Sequence, residues 1–295
     1  MTTALFQLAQ DPESKICTLT LAAIPEGPVV VLNKAVLAAL EATISEVERT
    51  KPTGLILASS GRVWVAGADL KEIMGLSDAE LRDYLRFGQH VFGRLSRLPC
   101  PTVAAIHGAV LGGGLELAMH CDHLIAAAPL GTAEKPAKPY AVGLPEAGLS
   151  ICPGWGGTNL LPARMDAAHA IELTATGRTM DVNAACAAGV AAGPVPADTL
   201  LSEAKAWIRG HPKASPRQQP VCIGEASRRE LVRSALGIAR GRIGPGEAAA
   251  AVLECVQIGV DKGWLAALDA EREHLIRLRS TPAGRGAIEA FFARK

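Results

Sequence analysis

The chain has 295 residues, 49 % hydrophobic and 20 % charged, enough to bury a substantial core in one large domain or two smaller ones. Thirty basic residues against 29 acidic ones leave a net charge of +1, which excludes the electrostatic footprint of a nucleic-acid or anionic-membrane binder. Aromatic residues are only 4 %, so the core must be built from Ala, Val, Leu and Ile.

Lys15 to Ala22 alternates and is rich in Thr and Leu, which predicts an early strand. From Asn33 to Arg49, Val36, Leu37, Leu40, Ile44 and Val47 keep helical spacing. Gly54 to Ala58 reads as a short apolar strand. Ser77-Asp78-Ala79-Glu80 has the form of a capping box. The helix after it places Leu81, Tyr84, Leu85, Gly88, Phe92 and Leu95 on one face, and Pro99 and Pro101 stop it. Thr102 to Ile106 and Asp122 to Ala128 read as further strands. Gly131 to Ala141 is a surface loop. The turn Pro153–Gly157 leads into a helix to about Ala163, Asp166 caps a helix reaching Thr176, and Asp181 caps a short one. Strands alternating with helices predict an α/β domain with buried parallel strands.

From Thr199 strand signals fade. Gly210 to Pro220 is an extended linker. Helices are expected over Glu225–Ala239, Gly246–Val260, Leu265–Leu278 and Gly284–Ala293.

Seven scattered cysteines (17, 100, 121, 152, 186, 222 and 255) form no CxxC pair, which points to reduced thiols and a cytoplasmic protein. Met1 to Lys15 lacks a basic segment followed by an apolar one, so no secretory signal is expected. The most membrane-like stretch, Thr102 to Met119, carries His107, Glu116 and four glycines, and reads as strand, turn and helix rather than a span.

Three places carry chemistry. In Gly112-Gly113-Gly114-Leu115-Glu116, a glycine turn opens a helix and points free N–H groups at whatever sits before it. Those groups can hold a phosphate or a developing oxyanion. Glu116 falls in the first helical turn, where the dipole favours its ionised form. Taken alone, this stretch fits equally a packing turn followed by a surface charge. The second place is Val65-Ala66-Gly67-Ala68-Asp69-Leu70-Lys71. The third is Gly143-Leu144-Pro145-Glu146 with the Pro153–Gly157 turn. Turns at Ala68 and Gly113 could each offer a backbone N–H to a thioester oxygen that becomes an enolate, and Glu116 and Glu146 could share acid and base duties on water.

These residues resemble the crotonase, or enoyl-CoA hydratase/isomerase, family. The matching stretches are VWVAGADLKEI, CPTVAAIHGAVLGGGLELAMHCDHLIAA and GLPEAGLSICPGWGGTNLLPARM, running on into TGRTMDVNAACAAGV. The resemblance implies an α/β crotonase-like fold: a ββα spiral core over residues 1–198, with the coenzyme A and catalytic sites, and a helical C-terminal region over 199–295. It implies that Ala68 and Gly113 are the oxyanion donors. Glu116 is implied as the base that activates water, and Glu146 as the group that gives a proton to the α-carbon. Arg62 and Lys71 are candidates for the phosphates of coenzyme A, or else ordinary solvated cations, and an adenine pocket is implied near Ala66. Leu144 departs from the glutamine several short-chain hydratases carry, which bears on substrate length and polarity.

The expected activity is hydration of a trans-2-enoyl-CoA. Isomerisation of a 3-enoyl-CoA through Glu146 and a non-catalytic acyl-CoA-binding subunit are the alternatives. The helical tail is similar to the stretch that follows the hydratase half in multifunctional fatty-acid oxidation enzymes. No GxGxxG fingerprint follows it, so no NAD site is expected, and no cofactor beyond the coenzyme A of the substrate. A homo-oligomer, trimer or hexamer, is expected. No metal is expected: His120, Cys121 and His123 cluster in sequence but fall short of a zinc ligand set. Asp69 and Asp122 are read as structural hydrogen-bonding groups and Trp155 as a packing residue.

Overall fold

The structure is a computed structural model that describes residues 5–21, 29–61, 63–131, 137–224 and 226–293. Its strands are β1 (Phe6–Gln10), β2 (Ile16–Leu21), β3 (Gly54–Ser59), β4 (Thr102–Ile106), β5 (Val110–Leu111), β6 (His123–Ala127), β7 (Ala141–Gly143), β8 (Met180–Asp181) and β9 (Ala192–Val195). The chain divides into two compact units that do not follow the 198/199 division. One comprises Met1–Gly67, His90–Val142 and Met180–Pro220. The other comprises Ala68–Gln89, Gly143–Thr179 and Val221–Lys295.

The first unit is built on a six-stranded sheet in the order β1-β2-β3-β4-β6-β9. Only β1 runs antiparallel, against β2; every later pair is parallel. All residues of β3 and β4 are buried, as a parallel strand covered on both faces requires. One face presents Ile16, Ile56, Val103, Ala105, Ile125 and Ala127, alternate residues within β4 and β6. The helix Leu200–Gly210 covers this face with Leu200, Ala204 and Ile208. A Cβ on Gly54 would lie 2.3 Å from Ile208 Cγ2, so glycine there lets the helix close onto the sheet. The helix Lys34–Thr50 is capped by Asn33 Oδ1, which accepts the Val36 N–H at 2.9 Å, and it buries the five apolar residues whose spacing predicted it. A small three-stranded sheet, β5-β7-β8, stands apart.

The 210–220 segment is pinned rather than loose at Lys213. Its Nζ donates to Ser96 O at 3.0 Å and lies 3.2 Å from Asp122 Oδ2, with both side chains almost wholly buried. The same Asp122 oxygen accepts from the Thr102 N–H and hydroxyl, so Asp122 is structural as expected. Removing one partner of a buried pair strands the other charge. Lys213→Met is expected to lower unfolding stability by about 3 kcal/mol in urea titrations, the low end of the usual range because Arg217 remains 3.5 Å from Asp122. A loss below about 0.5 kcal/mol would show the pair to be a surface contact in solution.

The second unit is helical. Its helices are Leu70–Gly75, the first part of Asp78–Arg97, Gly157–Leu160, Ala167–Thr176, Ala226–Arg240, Glu247–Lys262, Trp264–Arg279 and Pro282–Ala293. The capping box forms: Glu80 N–H donates to Ser77 Oγ, and Ser77 N–H and hydroxyl donate to Glu80 Oε2. One buried cluster joins Ile151, Cys152 and Ala175 to the Glu247–Lys262 face. A second packs Ala168 and Ile171 against Val232, Leu236, Val256 and Val260. Trp155 is buried, donates from Nε1 to Leu85 O at 3.1 Å and meets Tyr84 edge to face, so it packs.

Candidate active site

In the sheet unit, β4 ends at Ile106 and the chain turns through His107 and Gly108 into β5. Gly112, with φ +54° and ψ −129°, then caps the seven-residue helix Gly113–Met119. That conformation suits glycine, because any Cβ would crowd the backbone. The segment 64–67 runs alongside. Trp64 N–H donates to Ala109 O at 3.2 Å, Leu111 N–H donates to Val65 O at 3.4 Å, and Val65 bridges Val110 in parallel. The approach tightens at the helix start, where a Cβ on Gly114 would lie 2.4 Å from Val65 O. Gly67 has φ +106°, and a Cβ there would sit 3.0 Å from Leu111 O and 3.4 Å from Gly113 N. The first N–H groups of the helix, Gly113 among them, have no carbonyl partner within it.

Every residue of this short helix is buried, and Glu116 is only 1 % exposed. The surface-charge reading of Glu116 is therefore excluded. Its N–H closes the first turn onto Gly112 O at 3.0 Å. Its carbonyl accepts from the His120 N–H and from His120 Nδ1, the latter at 2.9 Å. His120 is thus turned to its own helix, and His123 stacks on Trp207 with ring centroids 4.5 Å apart. Among the described residues no three His, Cys, Asp or Glu side chains converge.

The helical unit resumes at Gly143, followed by buried Leu144, then Pro145, then a single 3-10 turn Glu146–Leu149. Gly148 N–H donates to Pro145 O at 2.9 Å and Ile151 N–H to Glu146 O at 3.1 Å. Both glutamates therefore sit on short helical turns, Glu116 in the first turn as expected. Glu146 as a residue keeps some exposure, but its Oε2 is buried and has no hydrogen-bond partner. Burial is the main force on this carboxyl, with Glu271 adding repulsion, and together they push its pKa up to about 8.

Ala68, half-buried, begins the helical unit directly after Gly67. Asp69 caps the next helix, its Oδ1 accepting the Lys71 and Glu72 N–H groups at 2.9 and 3.2 Å, a structural role as expected. Lys71 is exposed, with Nζ 5.8 Å from the centre of the Phe292 ring. In the sheet unit Ala66 is exposed and gives its N–H to Val30 O at 3.0 Å. Arg62 lies outside the described residues.

Sequence reading missed three charged residues on the Trp264–Arg279 helix, all buried. Glu271, fully buried, accepts the Gly156 N–H at 2.6 Å, the Thr158 N–H at 2.8 Å and the Thr158 hydroxyl. Arg272 donates from Nη1 to Gln89 Oε1 at 2.8 Å, and Gln89 Nε2 donates to both Gly154 O and Leu268 O at 2.9 Å. Arg279 donates to Ile73 O and Leu76 O, satisfying carbonyls at the end of the Leu70–Gly75 helix, and pairs with Asp78. A signal existed: Glu271 and Arg272 fall between Leu268 and Leu275, where an apolar stripe at helical spacing would be continuous.

A family model described as enoyl-CoA hydratase/isomerase matches residues 13–226. The chain is similar to the fatty acid oxidation complex subunit alpha of Aliivibrio fischeri, 32 % identical over 309 residues, covering 99 % of this chain and 42 % of that protein. The subunit of the same description from Vibrio cholerae is 33 % identical over 265 residues, covering 86 % of this chain and 36 % of that one. The chain thus spans about two fifths of the length of these curated relatives. Among solved structures, an enoyl-CoA hydratase from Bacillus anthracis superposes with a TM-score of 0.60 at 25 % identity, covering 99 % of this chain and 97 % of that one. Human mitochondrial delta3-delta2-enoyl-CoA isomerase superposes with a TM-score of 0.69 at 20 % identity, covering 98 % and 97 %, a likeness of fold. No helix among the described residues is long and apolar enough to cross a membrane.

Proposed function

The chain belongs to the enoyl-CoA hydratase/isomerase family and has its α/β crotonase fold, and from that membership we propose that it adds water across a trans-2-enoyl-CoA to give a 3-hydroxyacyl-CoA. The observation that carries this reading is the buried Oε2 of Glu146, which has no hydrogen-bond partner: burial pushes such a carboxyl upward, to about 8, which suits it to give a proton to carbon near neutral pH. In the proposed reaction the Glu116 carboxylate takes a proton from water as its oxygen bonds to C3. The electron pair of the double bond moves onto the thioester oxygen, which the N–H groups of Ala68 and Gly113 stabilise as an enolate. The enolate collapses as Glu146 gives its proton to C2. Water has then been added in full; Glu116 ends protonated and Glu146 ionised, and proton exchange with solvent resets both. Coenzyme A enters as part of the substrate, with the backbone near Ala66 and the cations Arg62 and Lys71 proposed to meet it.

The test is a panel of trans-2-enoyl-CoA thioesters of increasing length, read by loss of the conjugated thioester absorbance, with a 3-enoyl-CoA alongside. Hydration of at least one trans-2 substrate is expected. Gain of conjugation from the 3-enoyl-CoA with no hydration would replace this reading with isomerisation, and acyl-CoA binding with no turnover would replace it with a binding role.

The pH dependence follows from the sign of the Glu146 shift. Donation needs the protonated form, which is lost as pH rises through about 8. The kcat/KM for hydration is expected to hold up to neutral pH and then fall about tenfold per pH unit on the alkaline side. A profile flat to well above pH 9 would remove Glu146 as the donor.

A further inference from the structure

Ala68, the proposed donor on the helical unit, is followed at once by Asp69 and the helix Leu70–Gly75. Six residues are too few to hold a helix unaided, since nucleating one costs more than so few hydrogen bonds recover. Its position must come from its neighbours. Asp69 caps the N-terminal end. At the C-terminal end the last carbonyls have no partner within the helix, and Arg279 supplies one. Its Nη1 donates to Ile73 O at 2.5 Å and to Leu76 O at 2.6 Å, and its Nη2 to Asp78 Oδ1 at 2.5 Å. On the apolar side, Leu70 and Met74 pack against the cluster that holds Leu278 and Ile288.

We propose that Arg279 is a positioning residue for the thioester: from the Trp264–Arg279 helix it fixes the Leu70–Gly75 helix and thereby sets where the Ala68 N–H points. This rests on the reading of Ala68 as an oxyanion donor. The link is short and continuous. The Ile73 carbonyl accepts from Arg279, the Ile73 N–H donates to Asp69 O at 2.9 Å, and Asp69 is the residue next to Ala68. Asp69 also accepts the Lys71 and Glu72 N–H groups, so the first turn moves as one piece with the donor's neighbour. A helix tied at both ends carries a displacement at Ile73 through to Ala68.

Packing alone does not account for an arginine at this position. The residue is 5 % exposed, and its Nε is buried with no hydrogen-bond partner among the described residues. A buried guanidinium with an unmet donor is costly, and an apolar side chain of similar volume would fill the space without that cost. Its ion-pair partner Asp78 is largely exposed, which weakens the pairing. What arginine alone provides is a planar fork that reaches two carbonyls and a carboxylate at once. The cluster that seats Leu70 and Met74 also takes Ala147 and Leu149 of the Glu146 turn, so the helix carrying Leu278 and Arg279 supports the proposed acid as well as the proposed donor.

The test uses full-length protein and butanoyl-CoA carrying 13C at the thioester carbonyl, a saturated probe that cannot be hydrated. Oxyanion donors lower the carbonyl stretching frequency of the bound thioester, which isotope-edited infrared difference spectra read. In Arg279→Gln the band is expected to move back toward its position in solution. On a short trans-2-enoyl-CoA, kcat should fall at least about tenfold with KM changed less than about threefold, because a donor to the enolate is felt in the transition state. Arg279→Lys keeps the charge without the fork and should recover part of both. Leu236→Ala, in the separate buried cluster with Ala168 and Ile171, is the stability control: its melting temperature should fall while band and kcat stay put. A lowered melting temperature in Arg279→Gln with band and kcat unmoved would mean a structural role only and overturns the proposal. If Arg279→Gln does not fold, Arg279→Lys carries the test, and an unmoved band and rate there are equally fatal. An unshifted band in the unsubstituted protein would remove the oxyanion site and the proposal with it. A shifted band with no hydration of any enoyl-CoA would remove the hydratase reading alone, and the band comparison would still decide the role of Arg279.

Discussion

Glu116→Gln and Glu146→Gln are each expected to lose at least about 100-fold in kcat on a short trans-2-enoyl-CoA, with native folding preserved. Glutamine keeps the volume of each side chain but can neither take the proton of water nor release one to carbon. Positioned acid–base groups are worth about 10²–10⁴ in rate, and two groups acting in one addition lose nearly as much singly as together. The folding consequence differs between them and provides an internal control. The Glu146 carboxyl is raised in the folded state, so its favourable contribution is complete below the unfolded pKa and is lost as pH rises through about 8. Glu146→Gln should therefore gain in melting temperature relative to the unsubstituted protein as the pH is taken from 6 to 9, while its activity stays low at every pH. Differential scanning calorimetry and initial rates on the same preparations read both. Near-normal turnover in either variant would sink the two-glutamate mechanism. If Glu116→Gln spared the isomerisation of a 3-enoyl-CoA in a protein that hydrates poorly, the isomerase reading would take its place.

The elements legible in the sequence were those whose local pattern and tertiary environment agree. Helix Lys34–Thr50 buries the same five residues its periodicity selects, one apolar stripe at helical spacing. Strands β3 and β4 read as short apolar runs because both faces are covered. Strand β9 was missed: Ala-Gly-Pro-Val has little β propensity, and it becomes a strand only because β6 offers a parallel partner. The Leu70–Gly75 helix was also missed. Its six residues carry no periodicity, and the Asp69 cap is visible only once its hydrogen bonds are seen. Glu116 could be placed at a helix start by its glycines, but its burial could not, since that depends on how closely Gly114 lets Val65 approach. Glu271 was the least legible, because a charged residue at a core position reads as an interruption until the Gly156–Thr158 donors are found facing it.

Gly114→Ala is expected to cost about 10²–10³ in kcat, comparable to losing one donor of an oxyanion site. The added Cβ would lie 2.4 Å from the carbonyl oxygen of Val65 and 3.0 Å from its carbonyl carbon. Neither is the tip of a flexible side chain, so the backbone itself must move. The strand-like segment 64–67 or the start of helix Gly113–Met119 has to withdraw, and the Gly113 N–H withdraws with it. A displacement near 1 Å at a donor is enough to cost about a hundredfold in rate. The helix would remain, since alanine is a better helix former than glycine, so the defect should show in kcat more than in circular dichroism. Gly237→Ala is the matched control: nothing lies within 4 Å of a Cβ there, in the last turn of Ala226–Arg240. It is expected to leave kcat unchanged and to raise stability by about 0.5–1 kcal/mol through helix propensity. Full activity in Gly114→Ala would mean that the helix start can yield without moving its first N–H, and the assignment of Gly113 as an oxyanion donor would fall. A loss confined to KM would instead place the clash on substrate binding, because a donor acting on the enolate is felt in the transition state rather than in the bound thioester.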